Sequence, residues 1–378
     1  MHYNTLILSV VTFIYGLAAV LYLFSWVFHK EAPGKLATWV TLLACIGNAA
    51  GIALRWYESY QLGGGYGHAP LSNIYESLTF FSLTIGVLYL GIERRYGNRV
   101  IGVFALPLAF FALAYASFGT NDQIQPLIPA LKSNWLIAHV ISCFIGYAAF
   151  AVGSGAGLLY LLKDKGTFNI STLGRRLLWV LSILIWVLAA GALLFIVYAL
   201  FFHFQTKMSG LPGLSMVLAG LKPLAGLYIK IYRWVGLPLG AAFPNVFATF
   251  LVVCGVICAL FYLDADSAVF KLLPELNIVD ELTHQLIMFG FLLLTVGIIT
   301  GSVWANSAWG RYWGWDPKET WSFITWLIYA ALLHFRMMRG WRGKRIAVLS
   351  IVGFAAVLFT YFGVNLLPGL HSYGAMKG

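Results

Sequence analysis

One short segment, residues 304–321, concentrates aromatic rings in a way that suggests ligand binding. It reads WANSAWGRYWGWDPKETW, and its five tryptophans are Trp304, Trp309, Trp313, Trp315 and Trp321. A belt at a membrane interface accounts for one or two indoles at a helix end, and this stretch exceeds that need. Indole rings offer flat, polarisable and apolar faces, and Gly310 and Gly314 allow the backbone to lie close to a ligand. We therefore interpret the segment as a platform for a large planar ligand.

The same segment ends with the pattern of a helix start. Asp316 is a favourable N-cap residue, Pro317 suits the first helical position, and Glu319 completes a capping box. Asp316 and Glu319 thus have a local structural role whatever else they do. The pattern predicts that the aromatic segment is fixed to the beginning of the helix that follows.

Three of the eight histidines have predicted positions that suggest a function. His139 lies about one turn inside a predicted helix, and His371 follows the last predicted helix. His334 lies 18 residues past Asp316, which is about 27 Å further along a helix. An ionisable side chain at that depth in a membrane is a functional hypothesis, with a satisfied or snorkelling histidine as the alternative.

The elements that position these residues are membrane helices. Hydrophobic residues make up 61% of the chain and charged residues 10%, whereas a soluble surface needs roughly 25% charged residues. We predict an all-α integral membrane protein, a single membrane domain over residues 1–378, with about ten transmembrane helices. The predicted spans are Thr5–Phe28, Leu36–Trp56, Ile74–Ile92, Val100–Phe118, Trp135–Leu162, Leu177–Phe202, Asn245–Leu263, Gln285–Val303, Thr320–Phe335 and Ile346–Leu366.

The connections between these spans predict the orientation. The loops of one side hold 15 of the 24 lysines and arginines and should face the cytoplasm. They are His29–Lys35, Glu93–Arg99, Lys163–Arg176, Asp264–Glu281 and Arg336–Arg345. Both termini, residues 304–321, His139 and His371 then lie on the outer side. The net charge of +11 is therefore interpreted as topology, and nucleic-acid binding is not expected.

Two outer imidazoles beside an aromatic platform suggest axial ligation of a haem iron. Zinc is less favoured, since no third and fourth ligand is apparent, while the outer His68 and His203 are rival ligands. A haem also carries two propionates, which outer cations could bind. Those cations are Arg55, Arg311 and Lys318, with snorkelling as the alternative interpretation.

The chain resembles the CcsA (or ResC) component of the System II cytochrome c synthase, one of the haem-handling proteins named for a tryptophan-rich WWD motif. Besides residues 304–321, the segments that carry the resemblance are PLSNIYESL (Pro70–Leu78), ALKSNWLIAHVISCFIGYAA (Ala130–Ala149) and GVNLLPGLHSYG (Gly363–Gly374). It extends over nearly the whole chain.

The resemblance implies a set of roles. His139 and His371 would be the axial ligands of an external haem b over the WWD platform, and His334 would hold haem within the membrane. The second ligand at His334 would come from a separate partner, a CcsB-type protein. Arg55 matches the family's Arg before Trp after the second helix.

The resemblance also implies an activity. Haem b would be exported across a bacterial cytoplasmic or thylakoid membrane and attached by thioether bonds to the C-x-x-C-H motif of apocytochrome c, which makes the chain a haem lyase subunit. Two features depart from the family pattern. Residues 177–263 form an apparent additional helix pair with an outer loop, and His284 stands where a tyrosine is expected, so we assign it no ligand role.

Two other functions fit parts of the pattern. One is a haem exporter or chaperone without synthase activity, and the other is a bis-histidine b-type electron-transfer protein. The second class usually places its ligands at regular spacing on paired helices, which this chain lacks. No residue of the sequence is identified as a general acid or nucleophile, which fits a protein that positions haem.

Overall fold

The computed structural model describes residues 3–63, 66–164 and 273–367, and over these ranges the chain is entirely helical, without strands. The predicted spans Leu177–Phe202 and Asn245–Leu263 lie outside the described residues, as do His203 and His371. The packing described below is that of one compact unit, which comprises residues 2–113, 123–164 and 268–378.

The described ranges contain eight α-helices and two short 3₁₀ helices. The α-helices are α1 (Tyr3–Phe28), α2 (Glu31–Gln61), α3 (Ile74–Tyr96), α4 (Gly102–Gly119), α5 (Asn134–Lys163), α6 (Leu276–Trp309), α7 (Pro317–Arg339) and α8 (Lys344–Tyr361). The 3₁₀ helices are Pro129–Leu131, just before α5, and Gly363–Leu366, after α8.

Each of the eight predicted spans within the described ranges corresponds to one of these helices. Six of the helices, namely α1, α2, α3, α5, α6 and α8, are long and apolar enough to cross a membrane. α4 is a shorter apolar helix. α7 carries charged residues at both ends, and its predicted span Thr320–Phe335 would cover only about 24 Å at 1.5 Å per residue. The chain is thus a helical membrane protein.

α6 is longer than predicted at both ends. It has 34 residues, beginning at Leu276 where Gln285 was predicted and ending at Trp309 where Val303 was predicted. At about 1.5 Å per residue it measures about 51 Å, well beyond the roughly 30 Å hydrocarbon core. The helix ends only at Gly310, whose φ of 72° is a left-handed C-cap. Trp304 and Trp309, which were predicted to lie in the connection after this helix, are therefore helical.

The helices alternate in direction, so the unit has two ends. At one end, Asn4 of α1 bonds Glu58 of α2, and Ser77 of α3 lies 2.6 Å from Tyr361 of α8. Because residues 304–321 also lie at this end, we name it the tryptophan end; Thr360 of α8 bonds the carbonyl oxygen of Trp321 there. The opposite end carries the predicted cytoplasmic loops, and we name it the basic end.

The backbones of α5 and α6 approach each other closely. A Cβ atom added at Gly146 of α5 would lie 3.0 Å from the carbonyl oxygen of Gly290 of α6, and one added at Gly290 would lie equally close to Gly146. The core around this crossing includes Phe150, which stacks on Tyr329 of α7 with ring centroids 3.6 Å apart. Small residues allow such backbone approach in membranes, where dispersion forces rather than hydrophobic burial hold helices together.

Candidate functional site

Residues 304–321, the tryptophan segment, join the end of α6 to the start of α7. The predicted capping box at the start of α7 is present: the Asp316 carboxylate accepts a hydrogen bond from the Lys318 amide at 3.0 Å, and Glu319 bonds back. One carboxylate oxygen of Glu319 accepts from the amides of Gly314 at 2.7 Å and Asp316 at 3.2 Å. The connection is therefore fastened to α7 on both sides of Trp315.

Trp315 has an unusual backbone conformation. Its φ of 56° is left-handed, a region that costs a non-glycine residue roughly 1–3 kcal/mol. The two hydrogen bonds from backbone amides to Glu319 lie on either side of this residue and hold its strained backbone. The indole is 69% exposed, and the nearby Tyr312 is 61% exposed. A strained backbone at Trp315 thus accompanies the exposure of large aromatic rings at the surface.

The five indoles of the segment do not form one flat surface. Trp304 and Trp309 meet edge to face with ring centroids 4.8 Å apart, and Trp313 and Trp315 meet at an angle of 87°. Trp304 is buried, and its indole N–H donates to the carbonyl oxygen of Ala130 at 2.8 Å. Trp304 therefore fastens the chain before α5 to α6, while Trp315 offers an exposed face.

His139 lies in the second turn of α5 and is oriented by α6. Its Nδ1 lies 2.7 Å from the carbonyl oxygen of Gly297. Since a carbonyl oxygen only accepts, Nδ1 carries the hydrogen and Nε2 carries the lone pair that a metal needs. The ring lies nearly parallel to Trp304, at 15° with centroids 6.4 Å apart. Histidines that ligate metals commonly have their other ring nitrogen held by such a backbone acceptor.

The sequence interpretation missed the α6 residues around His139. A Cβ atom added at Gly301 would lie 2.5 Å from Nδ1 of His139, and one added at Gly297 would lie 2.4 Å from the buried Cys143 sulfur. Cys143 in turn lies 3.7 Å from Nδ1. A signal existed, since Gly297–Gly301 reads GIITG, the G-x-x-x-G pattern of close helix approach in membranes.

His334 has a different environment. It lies on α7 near the basic end, two residues before Arg336, which bonds Asp280 of α6 at 2.8 Å. The imidazole is exposed and shares an exposed stripe of α7 with Phe323, Leu327 and Ala331. His334 therefore points away from the packed core of the described residues.

Arg55 has an environment that neither snorkelling nor propionate pairing anticipated. The side chain is 2% exposed, and its Nε donates to Glu76 at 2.9 Å. The guanidinium also contacts Asn4 and the carbonyl oxygen of Gln123, and it lies 4.7 Å from the centre of the Tyr75 ring. These contacts give Arg55 a structural role between α1, α2 and α3.

His68 belongs to the same buried group. Nδ1 donates to the carbonyl oxygen of Tyr66 at 2.6 Å, while Nε2 lies 3.1 Å from the Ser72 hydroxyl and 3.7 Å from Glu76. The Ser72 hydroxyl donates to Glu76, so both nitrogens of His68 face acceptors. Burial opposes protonation, but the hydrogen bond and charge of Glu76 outweigh it and raise the pKa of His68. We name Arg55, Glu76, His68, Ser72 and Asn4 the buried ion-pair cluster.

Arg311 and Lys318 remain beside the tryptophan segment. Arg311 is exposed and lies against Gly314, where an added Cβ atom would come within 2.5 Å of the guanidinium carbon. Lys318 is half-buried in the first turn of α7. Burial lowers the pKa of its ammonium, against the opposing influence of Asp316. A carboxylate bound here would compensate the lost hydration, so the pair suits an anionic ligand group.

His284 lies in the third turn of α6. Its Nδ1 is buried, and among the described residues no hydrogen-bond partner reaches it. The charged side chains that act on its ring include Arg336, Glu281 and Asp280 at the basic end. No contact of the described residues links His284 to His334 or to the tryptophan segment.

A family comparison identifies the chain's relatives. The family described as cytochrome C assembly protein matches residues 71–196 and 243–371, which include the tryptophan segment, His139 and His334. The matched ranges also cover parts of the chain outside the described residues.

Individual proteins match over nearly the full length. The cytochrome c biogenesis protein CcsA of Porphyra purpurea is 35% identical, with 97% of each chain covered. The CcsA proteins of Synechococcus sp. (strain CC9902) and Synechococcus elongatus are 34% and 36% identical, over 89% and 86% of this chain and 86% and 83% of theirs. This chain therefore belongs to the cytochrome c assembly protein family, as a CcsA-type cytochrome c biogenesis protein.

Proposed function

We propose that this chain binds haem b at the tryptophan end and presents it for covalent attachment to apocytochrome c. The observation that carries the proposal is the orientation of His139. Its Nδ1–H is bonded to Gly297, so its Nε2 has the lone pair for an iron atom, and the ring is held beside Trp304. The same end of the protein carries the strained, exposed Trp315, which packing alone does not require.

The other residues of the site supply the remaining contacts of a haem. His371 is the second axial ligand in this proposal, as the family resemblance implies. The exposed indole of Trp315 packs against the porphyrin, and Trp309, Trp313 and Trp321 support the surrounding surface. Arg311 and Lys318 bind the propionates. Asp316 acts through the capping box that fixes the segment to α7.

The chemistry proposed for the site is thioether formation. Each thiol of the apocytochrome C-x-x-C-H motif adds across one haem vinyl group: a sulfur–carbon bond forms, and the thiol hydrogen ends on the other vinyl carbon. The addition consumes no oxidant or reductant. The contribution of this chain is to hold the haem in reach of the thiols and exclude other orientations.

His334 has a separate role in the proposal, as a ligand to haem within the membrane. Its exposed position on α7 suits a haem that is shared with a second chain. A CcsB-type membrane protein would supply the opposite ligand. The tryptophan end then faces the periplasm or the thylakoid lumen, and haem moves from the level of His334 toward His139.

Co-expression tests this function. The chain, a CcsB-type partner and an apocytochrome with an intact C-x-x-C-H motif are produced together, and haem staining after denaturing electrophoresis detects covalent product. The control is an apocytochrome with both motif cysteines replaced by alanine. Stained cytochrome in the first case only supports the synthase function. Haem that co-purifies without any covalent product would indicate an exporter or chaperone, and a reversible b-type electron carrier would also leave the cytochrome unstained.

A further inference from the structure

We propose that Gly297 and Gly301 of α6 are positioning residues for His139, so that this G-x-x-x-G pattern orients an iron ligand in addition to packing two helices. The inference rests on the proposed function, since it assumes that His139 ligates haem. The two glycines have different roles. Gly301 provides the space that the imidazole occupies, and Gly297 provides the carbonyl oxygen that selects its tautomer.

Gly301 contacts the imidazole itself. The three atoms nearest to a Cβ atom added at Gly301 are Nδ1, Cε1 and Cγ of His139, at 2.5, 2.8 and 3.3 Å. All three belong to a ring that can rotate about its side-chain bonds. A methyl group at Gly301 would therefore displace the ring while the helix backbones keep their places.

Gly297 acts one turn earlier on the same face of α6. Its carbonyl oxygen accepts from Nδ1 of His139 at 2.7 Å and also from the Thr300 hydroxyl at 3.1 Å. The absence of a side chain at Gly297 lets Cys143 of α5 lie against the α6 backbone. Since Cys143 and His139 are one turn apart on α5, this close approach sets the distance between the imidazole and its acceptor.

Gly290 shows what a glycine on this helix does when it only packs. A Cβ atom added there would meet the Phe150 ring at 2.7 Å and the backbone of Gly146 at 3.0 Å. Its neighbours are an apolar ring and a helix backbone, and it lies about three turns from Gly301 along α6. Gly290 and Gly301 face the same partner helix, but only Gly301 meets the imidazole.

The consequence for a bound haem is electronic as well as geometric. A hydrogen bond from Nδ1 to a carbonyl oxygen increases the electron donation of Nε2 and restricts ring rotation. Stronger donation stabilises ferric iron and lowers the reduction potential. Displacement of the ring should therefore weaken iron ligation and raise the potential.

The experiment compares Gly301→Ala with Gly290→Ala in the full-length chain purified with its partner and bound haem. We expect Gly301→Ala to lose part of the six-coordinate low-spin absorbance and to raise the reduction potential, with added imidazole restoring the low-spin bands. We expect Gly290→Ala to keep the spectrum and potential of the parent chain, even if its melting temperature falls. A spectrum and potential in Gly301→Ala equal to those of the parent would overturn the inference.

A third variant separates this inference from the proposed function. His139→Gly should lose the low-spin bands of the haem at the tryptophan end, while haem held at His334 keeps its own, and the lost bands should return with imidazole. If it does and Gly301→Ala behaves like the parent, the ligand assignment stands and the positioning role fails. If His139→Gly keeps the parent spectrum, the ligand assignment itself fails. Equal spectral changes in Gly301→Ala and Gly290→Ala would indicate that both glycines act only in helix packing.

Discussion

The buried ion-pair cluster and the tryptophan segment lie at the same end of the protein, yet they are built in opposite ways. In the cluster, Arg55 and Glu76 are almost fully buried and bonded to one another, and His68 is held by acceptors on both ring nitrogens. In the segment, Trp315 is strained and largely exposed. The cluster directs its polar groups inward, toward its own members.

Charged and aromatic residues that the sequence makes equally good candidates for ligand binding can thus differ in function. An arginine next to a tryptophan near a membrane interface suggests an anion site. Arg55, however, is buried, and its contacts stabilise the fold. Trp304 is a second case, because its indole N–H is used to bind Ala130. Variants of the cluster should therefore change stability, and variants at exposed positions of the segment should change haem binding.

The largest change in stability is expected from Arg55→Met. It leaves the Glu76 carboxylate buried without its cation, which typically costs about 3–5 kcal/mol. Thermal or denaturant unfolding in detergent measures the loss. The matched control is Arg94→Met at an exposed position of α3, which should shift stability by less than about 0.5 kcal/mol. Equal stability of the two variants would contradict a structural role for Arg55.

A smaller effect should come from the charge on His68. Its pKa is raised in the folded protein, so protonated His68 stabilises the fold. That stabilisation is fully present below the ordinary pKa of about 6.5 and is lost as pH rises through the higher folded value. We expect the melting temperature to fall as pH rises from neutral into the mildly alkaline range.

The control for this pH dependence is the replacement of individual histidines. His68→Gln should flatten the fall in melting temperature. His29→Asn should leave it unchanged, because His29 is exposed and asparagine tolerates its positive φ. An unchanged slope in His68→Gln would assign the dependence to other groups.

A cost of about 1 kcal/mol is expected from Glu319→Ala, the usual effect of losing a helix-capping side chain. The variant also frees the amides of Gly314 and Asp316, so Trp315 should relax from its left-handed conformation. Unfolding experiments and haem titration measure the two consequences. Glu319→Gln retains an acceptor oxygen and should lie between the parent and Glu319→Ala. Unaltered haem affinity in Glu319→Ala would show that the loop conformation is irrelevant to binding.

The smallest change in stability, and a clear loss of haem binding, is expected from Trp315→Ala. The exposed indole contributes little to packing, whereas its removal takes away an apolar face from the ligand. The comparison is Trp304→Ala, where removal of a buried indole should cost about 3–5 kcal/mol. If Trp315→Ala were the more destabilising variant, the distinction between supporting and ligand-facing tryptophans would be lost.

Much of this architecture follows from local sequence. Runs of apolar residues predicted all eight described helices, and Asp316 with Glu319 predicted the capping box, because both patterns act within a few turns of chain. The end of α6 was misjudged because apolar content marks the membrane core and not the helix beyond it. The buried environments of Arg55 and Trp304 were not predicted because their partners, Glu76 and Ala130, come from other elements.

His139 shows the same limit at the candidate site. Its position near the start of α5 was visible in the sequence, but its tautomer depends on the carbonyl oxygen of Gly297, 158 residues away. The glycine pattern of α6 could have indicated a close helix approach there. It could not have shown that the group approached is an imidazole.

The most direct test is the yield of covalent cytochrome c from co-expressed chain, partner and apocytochrome when His139 is replaced by glycine. We predict that His139→Gly abolishes the haem-stained product and that imidazole in the growth medium restores part of it, because the free base can take the place of the missing ligand. Immunodetection of the variant in the membrane controls for its level. Full product without imidazole in His139→Gly would contradict the assignment of His139 as a ligand to the haem that is attached.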